Sequence, residues 1–391
     1  MTLALSYDLA RRVAWLAVGV SALAVVACGG SDDSTPAVPP STTSTLSAKM
    51  SGDQEPASPA TGALGTGTLS LTLPSRALSG SIVLDGLTAT MAHIHLGDIG
   101  VNGAIIVPLA ETAAGSGTWA VPAGTVLTDP QATAFAAGGL YFNAHSAANP
   151  GGEVRGQIGR QVYAAQMTAA QEVPRSPSSA TGAGLLGFDP TTKKFTAQIT
   201  LTGVTATAAH IHDGVVGVSG AILFPMSETA AGSGVWVSAA NATLTDAQAT
   251  SLAAGGLYFN AHSSNYAGGE IRGQIARSVG FATMTAAQEV PANASTASGS
   301  GRLVVDPATR GVSGSITLTG ITATMAHIHT GAVGVSGPVI VPMTDGGGGV
   351  WSVPAGTVFT ADQLKAYKQG GLYFNAHSVA FAGGEIRGQI R

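Results

Sequence analysis

Apolar and polar side chains alternate along much of the chain after residue 45, with the period of two that is typical of β-strands. In the first third of the chain, alternating or β-branched runs occupy six stretches: 69–73, 78–84, 91–95, 104–107, 140–145 and 153–158. Glycine or proline separates one run from the next. Six or seven short strands with this punctuation predict an all-β fold, most simply a β-sandwich.

A single helical signal interrupts these strands. Thr128 precedes Gln131 by three residues, and the alanine-rich stretch that follows ends at Gly138. Thr-x-x-Gln is a capping-box pattern, and glycine commonly follows a helix C-terminus. The signal returns at residues 245–248 and 360–363. We therefore predict one short helix in each of three otherwise all-β units.

The whole pattern occurs three times. Met50, Met167 and Met284 open matching stretches at an offset of 117 residues, and a His-Ile-His tripeptide recurs at the same offset. A unit of this size can bury its own hydrophobic core. We predict three tandem domains, like beads on a string with short joints near residues 160 and 277, at residues 46–160, 163–277 and 280–391.

The N-terminal region has a different character. Arg11 and Arg12 precede an apolar run over residues 13–26, which is short for a membrane span but has the length of a signal-peptide core. The run ends in Val-Val-Ala before Cys28, the single cysteine of the sequence, and this resembles the bacterial lipobox. The alternative is a buried cysteine at the end of a transmembrane anchor. We favour a lipoprotein signal peptide over residues 1–27, with lipidation of Cys28.

Residues 28–45 are rich in serine, threonine and proline and carry nothing that could form a core. They predict a flexible tether between the lipid and the folded domains. The protein is then expected in the bacterial cell envelope, anchored to a membrane through lipid. Gly29 stands where some bacteria place an inner-membrane retention aspartate, which favours the outer membrane or the cell surface.

Composition narrows the classes of partner. The formal net charge is −4, and only 10% of the residues are charged. No basic stripe is present that could displace the counterions of a nucleic acid. We therefore expect no nucleic-acid partner.

The polar residues of the strands carry the candidate chemistry, and all nine histidines fall at three equivalent places in each copy. Because side chains alternate along a strand, His93 and His95 share one face. The same rule groups Asn143 with His145, and Glu153 with Arg155. If the strands are neighbours, each domain has one polar stripe. The members are His93, His95, Asn143, His145, Glu153 and Arg155 in the first copy, His210, His212, Asn260, His262, Glu270 and Arg272 in the second, and His327, His329, Asn375, His377, Glu385 and Arg387 in the third.

Two interpretations of the stripe remain open at the level of sequence. Three neutral imidazoles, two of them two residues apart on a strand, can converge on one zinc or copper ion and leave a fourth position open. Glu153 would then be a fourth ligand or would orient a histidine. Alternatively, an ion pair between Glu153 and Arg155, flanked by the histidines and the asparagine, satisfies itself by hydrogen bonds and fixes strand register without a metal.

Two further residue types recur near the strands. Glu55, Glu172 and Glu289 each follow a glutamine near the start of a domain, and we expect them to be solvated or to cap a turn. A tryptophan in a Gly-x-Trp strand, Trp119 in the first copy, is expected to anchor the core.

The motifs AHIHxGxxGxxG, GGLYFNAHS and GGEIRGQI together resemble the chordin-domain (CHRD) family, and the resemblance covers all three copies. It implies three immunoglobulin-like β-sandwich domains and an extracytoplasmic setting. In chordin, growth-factor binding is credited to separate cysteine-rich modules, which have no counterpart in this sequence. That activity is not implied here.

Two functional hypotheses follow. The first is an envelope lipoprotein whose domains form a binding or structural module, with metal binding as an added property, for a protein or glycan partner that the sequence does not identify. The second is a metal-dependent hydrolase or oxidoreductase that uses the histidine cluster of each domain. The His-x-His strand is similar to that of copper–zinc superoxide dismutases, but their other ligand spacing and their disulfide are missing. We favour the first hypothesis.

Overall fold

Strands dominate each repeat in the computed structural model, which describes residues 40–391. The predicted signal peptide, Cys28 and most of the predicted tether lie outside the described residues. The first strand already begins at Thr42, so the tether is shorter than expected from sequence. Thr43 and Thr45 share side-chain hydrogen bonds with Thr72 and Ser70 across the strand pair, at 2.8 and 2.7 Å. Threonine has a high β-propensity, and here a partner strand is available to it.

Each repeat contains nine strands and one α-helix, as follows. The first has β1 (Thr42–Ser51), β2 (Leu64–Leu73), β3 (Ala77–Asp85), β4 (Met91–Leu96), β5 (Ala104–Pro108), β6 (Ala110–Glu111), β7 (Thr118–Ala120), α1 (Asp129–Ala137), β8 (Leu140–His145) and β9 (Val154–Gln157). The second has β10 (Gln161–Thr168), β11 (Thr181–Phe188), β12 (Lys194–Thr202), β13 (Ala208–Asp213), β14 (Ile222–Glu228), β15 (Val235–Ser238), β16 (Ala242–Thr243), α2 (Asp246–Ala253), β17 (Leu257–His262) and β18 (Ile271–Gln274). The third has β19 (Ser278–Thr285), β20 (Ser298–Val305), β21 (Val312–Thr319), β22 (Met325–Thr330), β23 (Val339–Pro342), β24 (Thr344–Asp345), β25 (Val350–Ser352), α3 (Ala361–Lys368), β26 (Leu372–His377) and β27 (Ile386–Gln389).

The strands of each repeat form one antiparallel sheet that curls around a core. In the first repeat the order is β5-β4-β8-β9-β1-β2-β3-β7-β6. In the second repeat β14 pairs with β13 on one side and β15 on the other, which closes the sheet on itself. In the first repeat only Leu109 separates β5 from β6, and its amide donates to the carbonyl of Ala92. The predicted all-β class, with three barrel- or sandwich-like domains, is confirmed. In the first repeat β1, β6 and β7 lie outside the six runs predicted from sequence; β6 has only two residues, which is too few for a sequence signature.

The core of each domain lies inside its curled sheet. Ile94, Phe142 and Ala144 are fully buried in the first domain, and Trp119 joins the same cluster, as predicted. Gly67 allows close packing there, because a Cβ atom at this position would lie 2.8 Å from the Phe142 ring. The apolar faces of β4 and β8 therefore point inward, and their polar faces point away from this core.

The helices begin as the sequence predicts. In α1 the Thr128 hydroxyl accepts from the amide of Gln131, and the Gln131 side chain accepts from the amide of Thr128. The same capping box opens α2 and α3. After α1, the Arg160 guanidinium donates to the carbonyl of Ala137 at 3.0 Å. The first joint is thereby fixed to the C-terminus of the preceding helix.

The three domains pack together, and the description as beads on a string is wrong. Arg310 of the third domain donates to Asp85 of the first domain at 2.7 Å and to its Gly62 carbonyl at 3.0 Å. A second ion pair joins Lys368 to Asp53 at 2.8 Å. Short joints hold successive domains side by side, which leaves the first and third within reach of each other. Over the described residues, no helix is long and apolar enough to cross a membrane.

Candidate metal centre

Strands β4, β8 and β9 are neighbours in the sheet, as the prediction of a single polar stripe requires. His93 lies opposite Asn143, and His95 lies opposite Tyr141. On the other side of β8, Asn143 lies opposite Arg155. These residues share the face that points away from the core. Pleating and register therefore place the stripe on three adjacent strands.

Three histidines converge at one end of the stripe. Each offers a ring nitrogen, and in each domain the three nitrogens lie within 4.8 Å of one another. In the first domain His93 Nδ1 is 3.2 Å from His145 Nε2, and the His93 and His95 ring centroids are 5.6 Å apart. The three clusters, here called the histidine triads, are His93/His95/His145, His210/His212/His262 and His327/His329/His377.

Backbone carbonyls fix the tautomers of two histidines in each triad. His95 Nδ1 lies 2.9 Å from the Gly103 carbonyl oxygen, and His145 Nδ1 lies 3.0 Å from that of Pro150. A carbonyl oxygen only accepts, so both Nδ1 atoms carry the proton and both Nε2 atoms keep a lone pair. His95 Nε2 is buried and has no hydrogen-bond partner. Both contacts recur in the other domains, at 3.0 Å each in the second domain and at 2.9 and 3.1 Å in the third. Such contacts orient metal-binding histidines.

Burial and the neighbouring imidazoles also favour the neutral form of His93 and His95. Burial lowers the pKa of His93, and the neighbouring His145 and His95 rings lower it further. For His95, burial again lowers the pKa, partly offset by the hydrogen bond to Gly103. The pKa values of the equivalent residues His210, His212, His327 and His329 are lowered in the same way, and burial also lowers the pKa of His377 in the third domain. Neutral imidazole is the form that binds a metal.

The loop over residues 97–103 covers one side of the triad and depends on glycine. A Cβ atom on Gly103 would lie 1.6 Å from the Leu96 carbonyl oxygen, so only glycine allows the loop to return to β4 and present its carbonyl to His95. His95 and His145 are each 7% exposed, whereas His93 is half-buried. The open side of the triad is therefore the side of His93.

The other end of the stripe is a clamp on the same loop. Arg155 is 1% exposed, and its guanidinium donates to the carbonyls of Val101 at 3.0 Å and Asp98 at 2.6 Å. It also stacks over the Tyr141 ring, 3.4 Å from the centroid. Tyr141 in turn stacks on His95 and accepts from the Gly103 amide at 3.0 Å. This set, the arginine clamp, links the loop to the triad.

The ion pair expected between Glu153 and Arg155 does not form. Glu153 accepts from the Thr61 hydroxyl at 2.6 Å and from the Ser146 hydroxyl. Burial acts to raise the pKa of Glu153, but the hydrogen bonds from Ser146 and Thr61 lower it. Arg155 instead extends to the 97–103 loop, because its long side chain reaches carbonyls that lie beyond its own strand. The ligand groups found within the described residues contain histidines only, so Glu153 is not a fourth ligand.

Glu55 was expected to be solvated or to cap a turn, and its buried side chain contradicts this. It is 4% exposed, and burial raises its pKa to about 7, partly opposed by the charge of Arg155. Its Oε1 and the Oδ1 of Asn143 are both buried without a partner. Glu172 and Glu289 are buried in the same way. The recurrence of the Gln-Glu pair in all three copies was the sequence signal for this burial. Gln54 is buried beside Glu55, and its side-chain oxygen accepts a hydrogen bond from the backbone amide of Gln157.

Comparison with known families agrees with the repeats seen in the sequence and the fold. The model of the CHRD domain matches residues 46–158, 163–275 and 281–390. No curated protein and no solved structure matches the chain significantly. Three such domains indicate a binding or structural module. The chain therefore belongs to the CHRD-domain family, with three tandem copies of the domain.

Proposed function

We propose that this protein is a lipid-anchored component of a bacterial cell envelope in which each CHRD domain binds one zinc or copper ion through its histidine triad. One observation carries the proposal. In all three domains each histidine of the triad offers one ring nitrogen, these nitrogens lie within 4.8 Å of one another, and backbone carbonyls orient two of the rings.

The chemistry of the ligands selects the metal. Imidazole nitrogen suits zinc and copper, whereas calcium and magnesium prefer oxygen. Three protein ligands leave one position free for water or a ligand, and the half-buried His93 marks the side from which it is reached. A bound ion also satisfies the buried Nε2 of His95, which has no partner within the protein.

The surroundings of the triad favour binding over catalysis. A hydrolytic metal centre needs a general base beside the metal-bound water. The stripe carboxylate Glu153 is held by the hydroxyls of Thr61 and Ser146, and Glu55 lies buried near Asn143 and Arg155. Neither carboxylate belongs to the ligand cluster. Three linked sites instead suit metal retention, or binding of a partner through the metals with the benefit of avidity.

Elemental analysis of the mature chain tests metal binding. After metal removal and reloading with zinc or copper, we expect about three ions per chain, one for each dedicated ligand set. His93→Ala, His210→Ala and His327→Ala should each lose one ion and leave the other two, so each variant controls for the others. Uptake well below one ion per chain for both metals would refute the proposal.

The lipid anchor needs a separate test. Cys28→Ser should abolish the lipid-modified N-terminal cysteine in mass spectra and release the protein from the membrane fraction, since acyl chains would be its membrane attachment. An unmodified Cys28 in the mature wild-type protein, or equal membrane association of both forms, would contradict the anchor without bearing on the metal.

A further inference from the structure

One position beside the histidine triads differs between the domains. Met91 in the first domain lies opposite His145 across the β4–β8 pair, and Met325 in the third lies opposite His377. In the second domain Ala208 lies opposite His262. Met91 is two residues before His93, so it lies on the face that carries the triad.

The exposure of these methionines sets them apart from the others. Met1 lies outside the described residues, and five of the remaining seven are core residues that are at most 7% exposed: Met50, Met167, Met226, Met284 and Met343. Met91 and Met325 are 47% and 46% exposed. Methionine is ordinarily a buried residue. Core packing therefore explains five methionines and leaves the two beside triads without an explanation.

The geometry allows a thioether to reach the triad. Directly opposed residues in an antiparallel pair have Cβ atoms roughly 4.5–5.5 Å apart. Methionine is unbranched and has three rotatable bonds, so its sulfur can reach over the neighbouring ring towards the open side at His93. Thioether sulfur is a soft ligand that selects Cu(I) over zinc.

We infer that the first and third domains are Cu(I) sites, in which Met91 and Met325 supply a fourth, sulfur ligand to the triad, whereas the second domain is a three-nitrogen site. This inference rests on the proposed metal binding. It adds the identity of the metal and a difference in ligand set between the domains of one chain. The second domain serves as an internal control, because its triad has the same contacts and lacks only the sulfur.

Single-site forms of the full mature chain allow the domains to be compared. His210→Ala with His327→Ala leaves the first site, and His93→Ala with His327→Ala leaves the second. Titration with Cu(I) under reducing conditions against a competing chelator should give an affinity about tenfold or more higher for the first site than for the second. Zinc titration of the same chains should give affinities that differ by less than this.

Two reciprocal substitutions assign the difference to sulfur. In the first-site chain, Met91→Leu keeps an apolar side chain of similar volume and should lower Cu(I) affinity about tenfold, leaving zinc affinity unchanged. In the second-site chain, Ala208→Met should raise Cu(I) affinity. X-ray absorption of the copper-loaded first-site chain should show a sulfur neighbour that Met91→Leu removes.

The possible failures are distinguishable. Equal Cu(I) affinities at the first and second sites, without a sulfur neighbour, would overturn the inference and leave the proposed metal binding intact; Met91 would then be an exposed apolar residue at the start of a strand. Absence of any copper or zinc binding in the wild-type chain would overturn the proposed function, and the inference with it.

Discussion

The two ends of the polar stripe differ in how their polar side chains are paired. In the arginine clamp, the guanidinium of Arg155 is 1% exposed and donates to two loop carbonyls and to Gln157. In the histidine triad, His95 Nε2 is buried without a partner, and His93 Nδ1 faces His145 Nε2. The sequence offered a structural network and a metal site as alternatives. The structure divides the stripe into an end that is built like a network and an end where three ring nitrogens lie within 4.8 Å of one another.

The clamp and the triad are coupled through one loop. Arg155 holds the carbonyls of Asp98 and Val101, and the same loop presents the Gly103 carbonyl to His95. A stable clamp therefore preorganises the triad, because the tautomer and orientation of His95 depend on the position of that loop. This difference in role predicts different responses to substitution at the two ends.

The largest expected effect is the loss of the clamp. Arg155→Ala removes a buried charged donor and leaves the loop carbonyls and Tyr141 without their partner, so we expect it to destabilise the first domain by about 3–5 kcal/mol. His93→Ala, at the half-buried end, should cost about 1 kcal/mol or less in metal-free protein. Urea unfolding of both variants measures the contrast.

Arg155→Lys sharpens this comparison, since lysine keeps the charge but lacks the planar fork that reaches two carbonyls at once. It should fall between wild type and Arg155→Ala. Equal destabilisation by His93→Ala and Arg155→Ala in metal-free protein would break the division of the stripe into a structural and a ligand-binding end.

Metal should act at the other end of the stripe. A free metal concentration of one hundred times Kd stabilises a folded domain by about 2.7 kcal/mol if the unfolded chain does not bind. Thermal unfolding with and without zinc or copper should show this increase in wild type. The triple variant with His93→Ala, His210→Ala and His327→Ala should lose it. Equal stabilisation of the triple variant would place the metal elsewhere.

The buried glutamates between the two ends predict a dependence on pH. Burial raises the pKa of Glu55 from 4.5, the value of an exposed glutamate carboxyl, to about 7 in the folded protein. Below pH 4.5 the group is protonated in both states, and between about 4.5 and 7 only the unfolded state ionises. The contribution of Glu55 to stability is therefore lost progressively as pH rises through this range, by about 3 kcal/mol.

Glu55→Gln should flatten this part of the pH profile and should be more stable than wild type at pH 8. Unfolding free energies at pH 5 and pH 8 give the comparison. Glu172 provides a second test, because burial raises its pKa to about 7 as well. Glu172→Gln should have a similar effect, and the two should add because the residues lie in different domains. Identical pH profiles for wild type and the double variant would show that neither carboxyl is protonated in the folded state.

Features set by local geometry were predictable from sequence. The alternation of side chains placed His93 and His95 on one face, because pleating depends only on the strand itself. The Thr128–Gln131 capping box likewise involves residues three apart. The fold class followed from the repetition of such local signals.

Features set by distant parts of the chain were not predictable. The partners of Arg155 are carbonyls 54 and 57 residues away, and no spacing within β9 reveals them. Glu55 is buried through its neighbours Asn143 and Gly152, which come from the other end of the domain. The contact of Arg310 with Asp85 spans 225 residues and joins two domains. In each case a charged side chain finds its surroundings in a part of the chain that is distant in sequence.

The smallest expected effect concerns the link between the two ends. Tyr141→Phe keeps the ring that stacks on His95 and contacts Arg155, but it removes the hydroxyl that accepts from the Gly103 amide at 3.0 Å. The loss of one such hydrogen bond should cost about 1 kcal/mol, well below the cost of Arg155→Ala.

Because the Gly103 carbonyl orients His95, metal affinity at the first site should also fall in Tyr141→Phe, by less than tenfold, with no change at the other two sites. Unfolding in urea and metal titration of a first-site chain measure the two effects. A stability loss as large as that of Arg155→Ala would mean that the tyrosine hydroxyl, and not the guanidinium, holds the loop.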